Sequence, residues 1–207
     1  MARSKSSKRW LAEHFDDPFV KRAQKMGLRS RSAFKLLEIQ KKYALVKPGA
    51  CVVDLGCSPG GWSQVVRDLV GETGRVFALD VLPMDPLQGV TFIEGDFTED
   101  ESLQQLEQQL NGELVDLVLS DMAPNMSGTA VTDQAKAMYL AELALEFARA
   151  HLKPGGSLLV KLFHGDGFDV YVREVRTLFD QVNVRKPDAS RARSREVYLV
   201  AQGLKVE

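Results

Sequence analysis

A short glycine-rich stretch and a single lysine are the parts of this 207-residue chain whose residue types could do chemistry. The stretch, residues 54–62, reads Asp-Leu-Gly-Cys-Ser-Pro-Gly-Gly-Trp and follows the apolar run Cys-Val-Val at 51–53. This order predicts a buried strand, a tight glycine turn and a helix. Such a turn lies at the carboxyl end of a strand, where the backbone can approach a ligand closely. The sequence therefore predicts a cofactor loop, with a plain structural turn as the alternative.

The spacing within this loop favours a cofactor that carries no phosphate. A dinucleotide loop needs G-x-G-x-x-G with free amides directed at a pyrophosphate, but the third residue after Gly56 is Pro59, which has no N–H. A P-loop is excluded as well, because no Gly-Lys-Ser/Thr closes the run. S-adenosylmethionine is the commonest remaining ligand of a strand–glycine–helix unit.

The lysine that attracts attention is Lys161, which stands inside the apolar run from Leu158 to Phe163. This run reads as a strand buried on both faces. A lysine among apolar residues usually needs a carboxylate partner. Asp121 follows the preceding apolar strand and comes just before an irregular Ala-Pro turn. We therefore expect Lys161 and Asp121 to pair at one edge of the sheet.

Two more carboxylates end predicted strands at this edge. Asp80 ends the second strand, 24 residues after Gly56, where the ribose hydroxyls of a nucleoside cofactor would be held, although an NAD protein would have an acidic residue there too. Asp96 follows the third strand and could accept an adenine amino group, with capping of the next helix as the alternative. Trp62 could pack on the cofactor or belong to the core.

Strands and helices alternate around these residues, which predicts a doubly wound α/β fold with helices on both faces of a mostly parallel, seven-stranded sheet. The predicted strands are 51–53, 75–79, 90–94, 114–120, 157–163, 181–186 and 196–202, and the predicted helices between them are 62–70, 99–110, 132–152 and 169–179.

A basic tail over residues 1–8, predicted to be disordered, precedes a single domain over 9–207, since a chain of this length fits one domain. Residues 9–47 of that domain form a basic helical extension. Its helices are expected over 9–15, from Asp17-Pro18 to Gly27, and from Ser30 or Ser32 to Tyr43, with Lys35 on the polar side of the third.

Charge is distributed unevenly, although the formal net charge is only -1. Residues 1–50 hold 13 Lys and Arg against 4 Asp and Glu, residues 51–150 hold 4 against 17, and residues 151–207 hold 10 against 7. Because salt screens charges beyond about 8–10 Å, a polyanion would respond to the basic ends. Nucleic acid is therefore an expected partner, with phosphate contacts from Arg29 and Arg31; a merely solvated N-terminus is the alternative.

The cysteine content and the apolar runs indicate a compartment. The chain has two cysteines, one in the predicted first strand and one in the glycine loop, which suits a reducing environment. The N-terminal segment has no apolar signal core, and no apolar run approaches membrane-spanning length. We therefore expect a cytoplasmic protein with no membrane partner.

Four stretches together resemble the FtsJ/RrmJ family of bacterial large-subunit ribosomal RNA 2'-O-ribose methyltransferases. They are GLRSRSAFKL at 27–36, DLGCSPGGW at 54–62, SDMAPNMSG at 120–128, and KPD with RARSRE within 186–196. The resemblance runs from about Arg9 to Val200. One departure is that Cys57 and Ser58 stand where small alanines are common, which a loop that contacts its ligand through the backbone should tolerate.

The resemblance implies a Rossmann-like methyltransferase fold, S-adenosylmethionine as the donor, and a Lys-Asp-Lys-Glu catalytic set. It also implies a substrate, a uridine ribose in the A loop of 23S ribosomal RNA on the assembled large subunit. We expect the chain to act as a monomer. Residue by residue, the catalytic set corresponds to Lys35, Asp121, Lys161 and Glu196, and the family's cofactor contacts correspond to Gly60, Trp62, Asp80, Asp96 and Asp121.

The expected reaction is an in-line displacement in which a ribose 2'-hydroxyl attacks the sulfonium methyl group. No metal is needed, because the leaving group becomes a neutral thioether. Lys161 is the candidate proton acceptor, Asp121 orients it, and Lys35 with Glu196 completes the polar cluster around the ribose. The target nucleotide has to leave its stack to reach such a pocket, which favours an RNA loop over a regular duplex.

Three rival interpretations are open at this point. A nicotinamide dehydrogenase would share the fold and Asp80, but the dinucleotide loop is missing. A non-catalytic RNA-binding protein would keep the basic ends but would have no reason to place Lys161 in an apolar strand. Methylation of transfer RNA or of an mRNA cap would use the same four catalytic residues.

Overall fold

The computed structural model describes residues 17–206. Its elements alternate as the apolar runs and the glycine and proline turns predict. The helices are α1 (Pro18–Lys25), α2 (Ala33–Tyr43), α3 (Gly61–Val70), α4 (Asp100–Leu110), α5 (Ala130–His151) and α6 (Phe168–Leu178). The strands are β1 (Cys51–Leu55), β2 (Arg75–Asp80), β3 (Val90–Glu94), β4 (Val115–Ser120), β5 (Leu152–Phe163), β6 (Phe179–Arg185) and β7 (Glu196–Leu204).

The strands form one seven-stranded sheet in the order β3-β2-β1-β4-β5-β7-β6. The first five run parallel, and β7 runs antiparallel to both β5 and β6. The chain order reverses between β1 and β4, and open α/β sheets bind ligands at such a switch point. The predicted fold class is confirmed.

Helices cover both faces of the sheet. On one face α4, α5 and α6 pack on the strands, for example through Leu106, Leu145 and Val175. On the other face α2 and α3 do so, through residues such as Leu36 and Val66. The middle residues of the central strands β1 and β4, such as Val53 and Val118, are therefore apolar and fully buried. Within residues 17–206 no helix combines the length and the apolar character needed to cross a membrane, the 22-residue α5 included.

The N-terminal helices follow the predictions with one exception. Asp17 caps α1, and its carboxylate accepts the Phe19 amide at 2.9 Å. The predicted helix over 9–15 and the tail over 1–8 lie outside the described residues. The prediction that Lys35 lies on a solvated face of α2 was wrong, since this residue is only 8% exposed. A segment near the C-terminus covers that part of α2, and its Ala189 packs against Phe34.

The fifth strand begins earlier than predicted. The Lys-Pro-Gly-Gly residues at 153–156 were expected to separate α5 from a strand at Ser157, yet β5 begins directly at Leu152. Val115 pairs with Leu152, whereas Leu117 pairs with Ser157, so β5 carries extra residues opposite a short step of β4. The sheet therefore absorbs this glycine-containing segment as an irregularity in the pairing.

Candidate active site

The strand register brings the predicted catalytic residues together at the carboxyl ends of the parallel strands, which we call the ligand edge of the sheet. Ser120 at the end of β4 pairs with Leu55 on one side and with Val160 on the other. Asp121 and Lys161 follow one position later on their strands. Because β7 is antiparallel to β5, its first residue, Glu196, pairs with Phe163 at the same edge.

Lys161 and Asp121 form the expected pair. The Lys161 Nζ donates to the backbone oxygen of Asp121 at 2.5 Å and lies 3.1 Å from its Oδ1. The two side chains are 9% and 17% exposed. Asp121 therefore offers two acceptors to a lysine that is largely withdrawn from water, as a buried cation or amine requires.

Lys35 and Glu196 form a second buried pair. Their Nζ and Oε1 atoms are 2.6 Å apart, with side-chain exposures of 10% and 14%. Burial alone would raise the pKa of Glu196, but Lys35, Ser190 and Lys161 together outweigh burial, and the pKa lies below its ordinary value. Glu196 is therefore a charged partner of Lys35, which the sequence placed on the polar side of its helix.

Tyr198 joins the two pairs into one network. Its hydroxyl donates to the Asp121 Oδ1 at 2.7 Å and accepts from the Lys35 Nζ at 3.1 Å. Burial, reinforced by the carboxylates nearby, raises the pKa of the Tyr198 hydroxyl well above its ordinary value, so that it stays protonated. Tyr198 was not among the residues predicted from the sequence. The available signal was its position two residues after Glu196, which places both side chains on the same side of β7.

The glycine loop lies at the same edge, between β1 and α3. Gly56 and Gly60 have φ angles of 76° and 100°, which glycine alone adopts readily. A Cβ on Gly56 would lie 2.8 Å from Cγ of Met122, so this loop touches the loop that follows Asp121. The first-turn amides of α3 have no acceptor within the helix and can serve a ligand.

Trp62 packs in the core. It is 2% exposed, its Nε1 donates to the Ser32 oxygen at 2.9 Å, and its ring lies 5.6 Å from that of Tyr198. Of the two roles considered for Trp62, these contacts support a place in the core, and a contact of this residue with the cofactor stays a prediction. A cofactor contact by this residue would have to use its backbone.

Asp80 ends β2 and organises the loops on either side. Its Oδ2 accepts the Ser58 amide at 2.8 Å, and its Oδ1 accepts the Leu82 amide at 2.9 Å. Each carboxylate oxygen can accept a further hydrogen bond, so Asp80 keeps capacity for hydroxyl donors. Val81 and Leu82, 53% and 59% exposed, add an apolar surface beside it.

Asp96 lies in a tight turn after β3. Its Oδ1 accepts both the amide and the hydroxyl of Thr98, at 2.9 and 2.8 Å. The N-cap position of α4 belongs to Glu99, so the alternative in which Asp96 caps this helix was wrong. Its role as an acceptor for adenine stays a prediction.

Asp54 is a buried carboxyl directly beneath the glycine loop. Its Oδ2 accepts the Ser63 hydroxyl at 2.6 Å, while no group within residues 17–206 forms a hydrogen bond with its Oδ1. Burial raises the pKa of Asp54 to about 7, although the Ser63 hydroxyl opposes the shift. No role was assigned to Asp54 from the sequence, where it marked only the start of the loop.

A cavity of about 480 Å³ opens beside the Lys35–Glu196 pair. Four of its six lining residues carry a positive charge, which suits an anionic ligand such as a phosphodiester. The lining residues are Arg31, Lys35, Arg191, Arg193, Ser194 and Glu196.

Arg29 and Arg31 have protein partners that a count of charges could not reveal. The Arg31 Nε lies 3.0 Å from Oδ2 of Asp17, and its Nη2 donates to the Ala189 oxygen at 2.6 Å. Arg29 donates to the backbone oxygens of Asp85 and Pro86 at 2.6 and 2.8 Å. Contacts of these arginines with RNA phosphate stay a prediction, and alanine at either position would also remove internal bonds.

Comparisons with known proteins agree with the resemblance. Residues 28–204 match the model of a family described as FtsJ-like methyltransferase. A protein named ribosomal RNA large subunit methyltransferase E from Marinobacter nauticus is 62% identical over the whole of both chains. A protein of the same name from Stutzerimonas stutzeri is 58% identical over 99% of this chain and 100% of its own.

Two solved structures are also similar to this chain. A ribosomal RNA methyltransferase from Plasmodium falciparum has a TM-score of 0.76 at 28% identity, covering 86% of this chain and 100% of its own. A protein from Clostridium thermocellum, with a TM-score of 0.51 at 19% identity over 84% of this chain and 97% of its own, supports the fold alone. Since the family match includes the glycine loop and both Lys-carboxylate pairs at the ligand edge, this chain belongs to the FtsJ-like methyltransferase family.

Proposed function

We propose that this chain uses S-adenosylmethionine to methylate the 2'-hydroxyl of a uridine ribose in 23S ribosomal RNA, in the A loop of the assembled large subunit. The observation that carries the proposal is the continuous polar network at the ligand edge. It runs from Lys161 through Asp121, Tyr198 and Lys35 to Glu196. The names of the relatives support the substrate class. We also propose that the chain acts as a monomer in the cytoplasm, and sedimentation would test its oligomeric state.

The residues around the glycine loop fit this cofactor. The Asp80 carboxylate has acceptor capacity for ribose hydroxyls, and the exposed Val81 and Leu82 suit an adenine face, with Asp96 as the acceptor for its amino group. The helix N-terminus after Gly60 suits a carboxylate. The Asp121 carboxylate provides negative charge next to the loop. When bound, the cofactor supplies a methyl group activated by a positively charged sulfur.

In this proposal Lys161 takes the proton of the attacking hydroxyl. As a base Lys161 acts in its neutral form, after its ammonium proton has passed to solvent, and a neutral lysine amine has two N–H donors and one lone pair. The two acceptors of Asp121, at 2.5 and 3.1 Å, match the two donors and leave the lone pair for the hydroxyl proton. Asp121 thereby orients the base, and its charge stabilises the ammonium that forms.

The remaining network residues position the ribose. Lys35 and Glu196 form the wall between Tyr198 and the basic cavity, so a ribose bound beside them lies within reach of Lys161. The Tyr198 hydroxyl is hydrogen-bonded to both Lys35 and Asp121 and so holds the two side chains in place. Because the network is largely withdrawn from water, its hydrogen bonds are strong and its geometry is fixed before substrate arrives. The cations around the cavity suit the phosphates that flank a nucleotide turned out of its stack.

The decisive experiment maps 2'-O-methyl groups on ribosomal RNA from cells with and without this chain. We expect one uridine of 23S RNA to lose its methyl group in the deletion strain and to regain it with the parent gene but not with Lys161→Ala. Purified chain with labelled cofactor is then offered large subunits, naked 23S RNA, transfer RNA and capped mRNA. Methylation confined to transfer RNA or capped mRNA would replace the proposed substrate with the alternative one.

A substitution at Asp80 tests the cofactor site. Alanine would release both the Ser58 and the Leu82 amide, whereas asparagine keeps one carbonyl acceptor for them, so Asp80→Asn disturbs the loops less. We expect the Kd for S-adenosylmethionine to rise about tenfold or more, because a charge-assisted hydrogen bond to the ribose is lost. Calorimetry would measure it, with Asp68→Asn on the exposed side of α3 as the charge-matched control. An unchanged Kd for Asp80→Asn would remove Asp80 from the cofactor site.

A further inference from the structure

The segment that leads into α2 is fastened to the cofactor side of the ligand edge. The Arg29 guanidinium donates to the backbone oxygens of Pro59 at 3.4 Å, of Asp85 at 2.6 Å and of Pro86 at 2.8 Å. Pro59 belongs to the glycine loop, whereas Asp85 and Pro86 belong to the loop after β2. One side chain therefore joins the two loops that flank Asp80.

Gln64, in the first turn of α3, provides a second fastening. Its Oε1 accepts the Arg29 amide at 3.0 Å, and its Nε2 donates to the Gly27 oxygen at 2.9 Å. The side chain thus satisfies a donor and an acceptor of the 27–29 backbone at once. This segment is docked on the same helix whose N-terminus follows the glycine loop.

The packing between Arg29 and the glycine loop is close. A Cβ on Gly60 would lie 2.7 Å from Sδ of Met84 and 2.9 Å from Nη1 of Arg29. Met84 is itself buried against Cys57 and Ala78 beneath the loop. Arg29 and Met84 therefore form the wall behind Gly60, and this wall leaves no room for the loop to shift towards them.

We propose that Arg29 is a positioning residue for the cofactor pocket, holding the 56–60 loop and the 81–86 loop together and tying both to the segment that leads into α2. This inference rests on the proposed function, because it takes this edge as the S-adenosylmethionine site. Since α2 carries Lys35 in its first turn, the cofactor pocket and Lys35 share one structural element. If the methyl donor orders the two loops, it also orders the segment that leads into α2, so we expect binding of the methyl donor to favour binding of RNA.

The competing role for Arg29 is a phosphate contact, which its positive charge would also permit. Gln64 separates the two roles, because its replacement removes one fastening of the segment and no charge. Lys25, exposed in the last turn of α1, is the matched control, because its replacement removes one positive charge from the same extension and touches neither loop.

The experiment measures binding of S-adenosylmethionine to the full chain by calorimetry without RNA. We expect the Kd to rise about tenfold for Arg29→Ala and about threefold to fivefold for Gln64→Ala, to stay at the parent value for Lys25→Ala, and to be partly restored by Arg29→Lys. Should Arg29→Ala fail to fold, Gln64→Ala and Arg29→Lys carry the same comparison. Parent-like Kd values for both Arg29→Ala and Gln64→Ala would overturn the inference and leave phosphate contact as the role of Arg29.

A second readout is the change in RNA affinity when S-adenosylmethionine is added. We expect the parent and Lys25→Ala to bind RNA several-fold more tightly with the cofactor, and Gln64→Ala to lose most of this gain. A gain fully retained in Gln64→Ala would overturn the tie to α2. A parent chain that binds no S-adenosylmethionine would instead refute the proposed function, so the two failures are distinguishable.

Discussion

Two Lys-Asp ion pairs join β4 and β5, one at each end of these strands. The Lys161–Asp121 pair at the ligand edge has an N–O distance of 3.1 Å, and the Lys153–Asp116 pair at the opposite edge has one of 2.9 Å. Residue types, strands and distances are thus almost the same. The side chains of the first pair are 9% and 17% exposed, however, and those of the second are 46% and 38% exposed.

The neighbours of the two pairs explain what this difference means. Asp116 also accepts the Cys51 amide at 2.8 Å, so it helps to anchor the start of β1. Asp121 is instead bonded to Tyr198, which connects it to a second buried ion pair. The distance between two charges therefore does not identify a catalytic pair in this fold. Burial and the surrounding network distinguish the pair that we propose takes part in proton transfer from the exposed pair between the two strands.

The largest effect is expected from removing the base. Lys161→Arg should lower the single-turnover rate of methyl transfer about 100-fold or more, because a guanidinium cannot give up its proton at neutral pH. Lys153→Arg, the same change in the exposed pair, should leave the rate at the parent value. Binding of RNA and cofactor is measured separately for each variant. A Lys161→Arg enzyme that binds both ligands and reacts at the parent rate would mean that Lys161 only positions the ribose.

Double-mutant cycles would compare the two pairs in energy. We expect a coupling free energy of about 2–3 kcal/mol for Lys161→Met with Asp121→Asn, since either change alone leaves a buried polar group without its partner. For Lys153→Met with Asp116→Asn we expect less than about 1 kcal/mol, because solvent screens that pair. Urea unfolding of the single and double variants gives both values. Equal coupling in the two cycles would contradict the role given to burial.

Asp54 on β1 and Asp116 on the neighbouring β4 should change the free energy of unfolding in opposite directions as the pH rises. Asp54 has a folded-state pKa of about 7, against about 3.9 in an unfolded chain. Between these values the folded chain holds the extra proton, so the free energy of unfolding should fall as pH rises, by up to about 1.4 kcal/mol per pH unit.

The carboxyl of Asp116 behaves in the other sense. Burial would raise its pKa, but the Cys51 amide and Lys153 bring the pKa below its ordinary value. Its contribution is therefore present above the unfolded-state pKa and is lost as pH falls. Urea titrations between about pH 5 and 7 should show a flatter profile for Asp54→Asn, and a parental slope for Asp116→Asn. A parental slope for Asp54→Asn would mean that Asp54 is already charged in the folded chain.

The smallest effect is expected at the connecting hydroxyl, which has no counterpart in the exposed pair. Tyr198→Phe keeps the ring packed on Trp62 but removes the hydrogen bonds to Asp121 and Lys35. We expect the methyl-transfer rate to fall about fivefold, the equivalent of one hydrogen bond, with the cofactor Kd unchanged. Single-turnover kinetics at saturating cofactor would measure it. A parent-like rate would show that the two ion pairs hold their geometry without this link.

The parallel half of the fold could be predicted from the sequence because each strand there is an apolar run that ends in an acidic or irregular segment. The Lys161–Asp121 pair was accessible for a related reason, since a lysine in a buried strand has few possible partners. Lys35 was different, because its burial depends on residues far along the chain. The Lys35 ion pair with Glu196 and the bond from the Asp188 amide to Glu38 link α2 to segments about 150 residues away. Helical periodicity reflects only which residues share a face of one helix, so it cannot predict that a distant segment buries Lys35.

Tyr198 and Arg29 were missed, or given another role, for the same reason. An aromatic residue in an apolar strand reads as core, which Tyr198 is, and only the strand pairing shows that its hydroxyl reaches the site. An arginine in a basic segment reads as a nucleic-acid contact, whereas the acceptors of Arg29 are backbone oxygens that no sequence pattern marks. Lys35 and Glu196 entered the candidate set through the family resemblance alone.

The antiparallel direction of β7 determines which connection of the chain borders the proposed RNA-binding side of the site. Because β7 runs against β5, the substrate side of the site is reached at the beginning of a strand, directly after the 186–195 connection. That connection belongs to a hairpin at the margin of the sheet and to none of the strand–helix–strand units that build the cofactor side. Lengthening or shortening it would remodel the walls around the nucleotide while leaving the parallel strands in register. We therefore expect changes in this connection to alter the proposed RNA-binding side of the site first, because Arg191, Arg193 and Ser194 of the basic cavity lie in it.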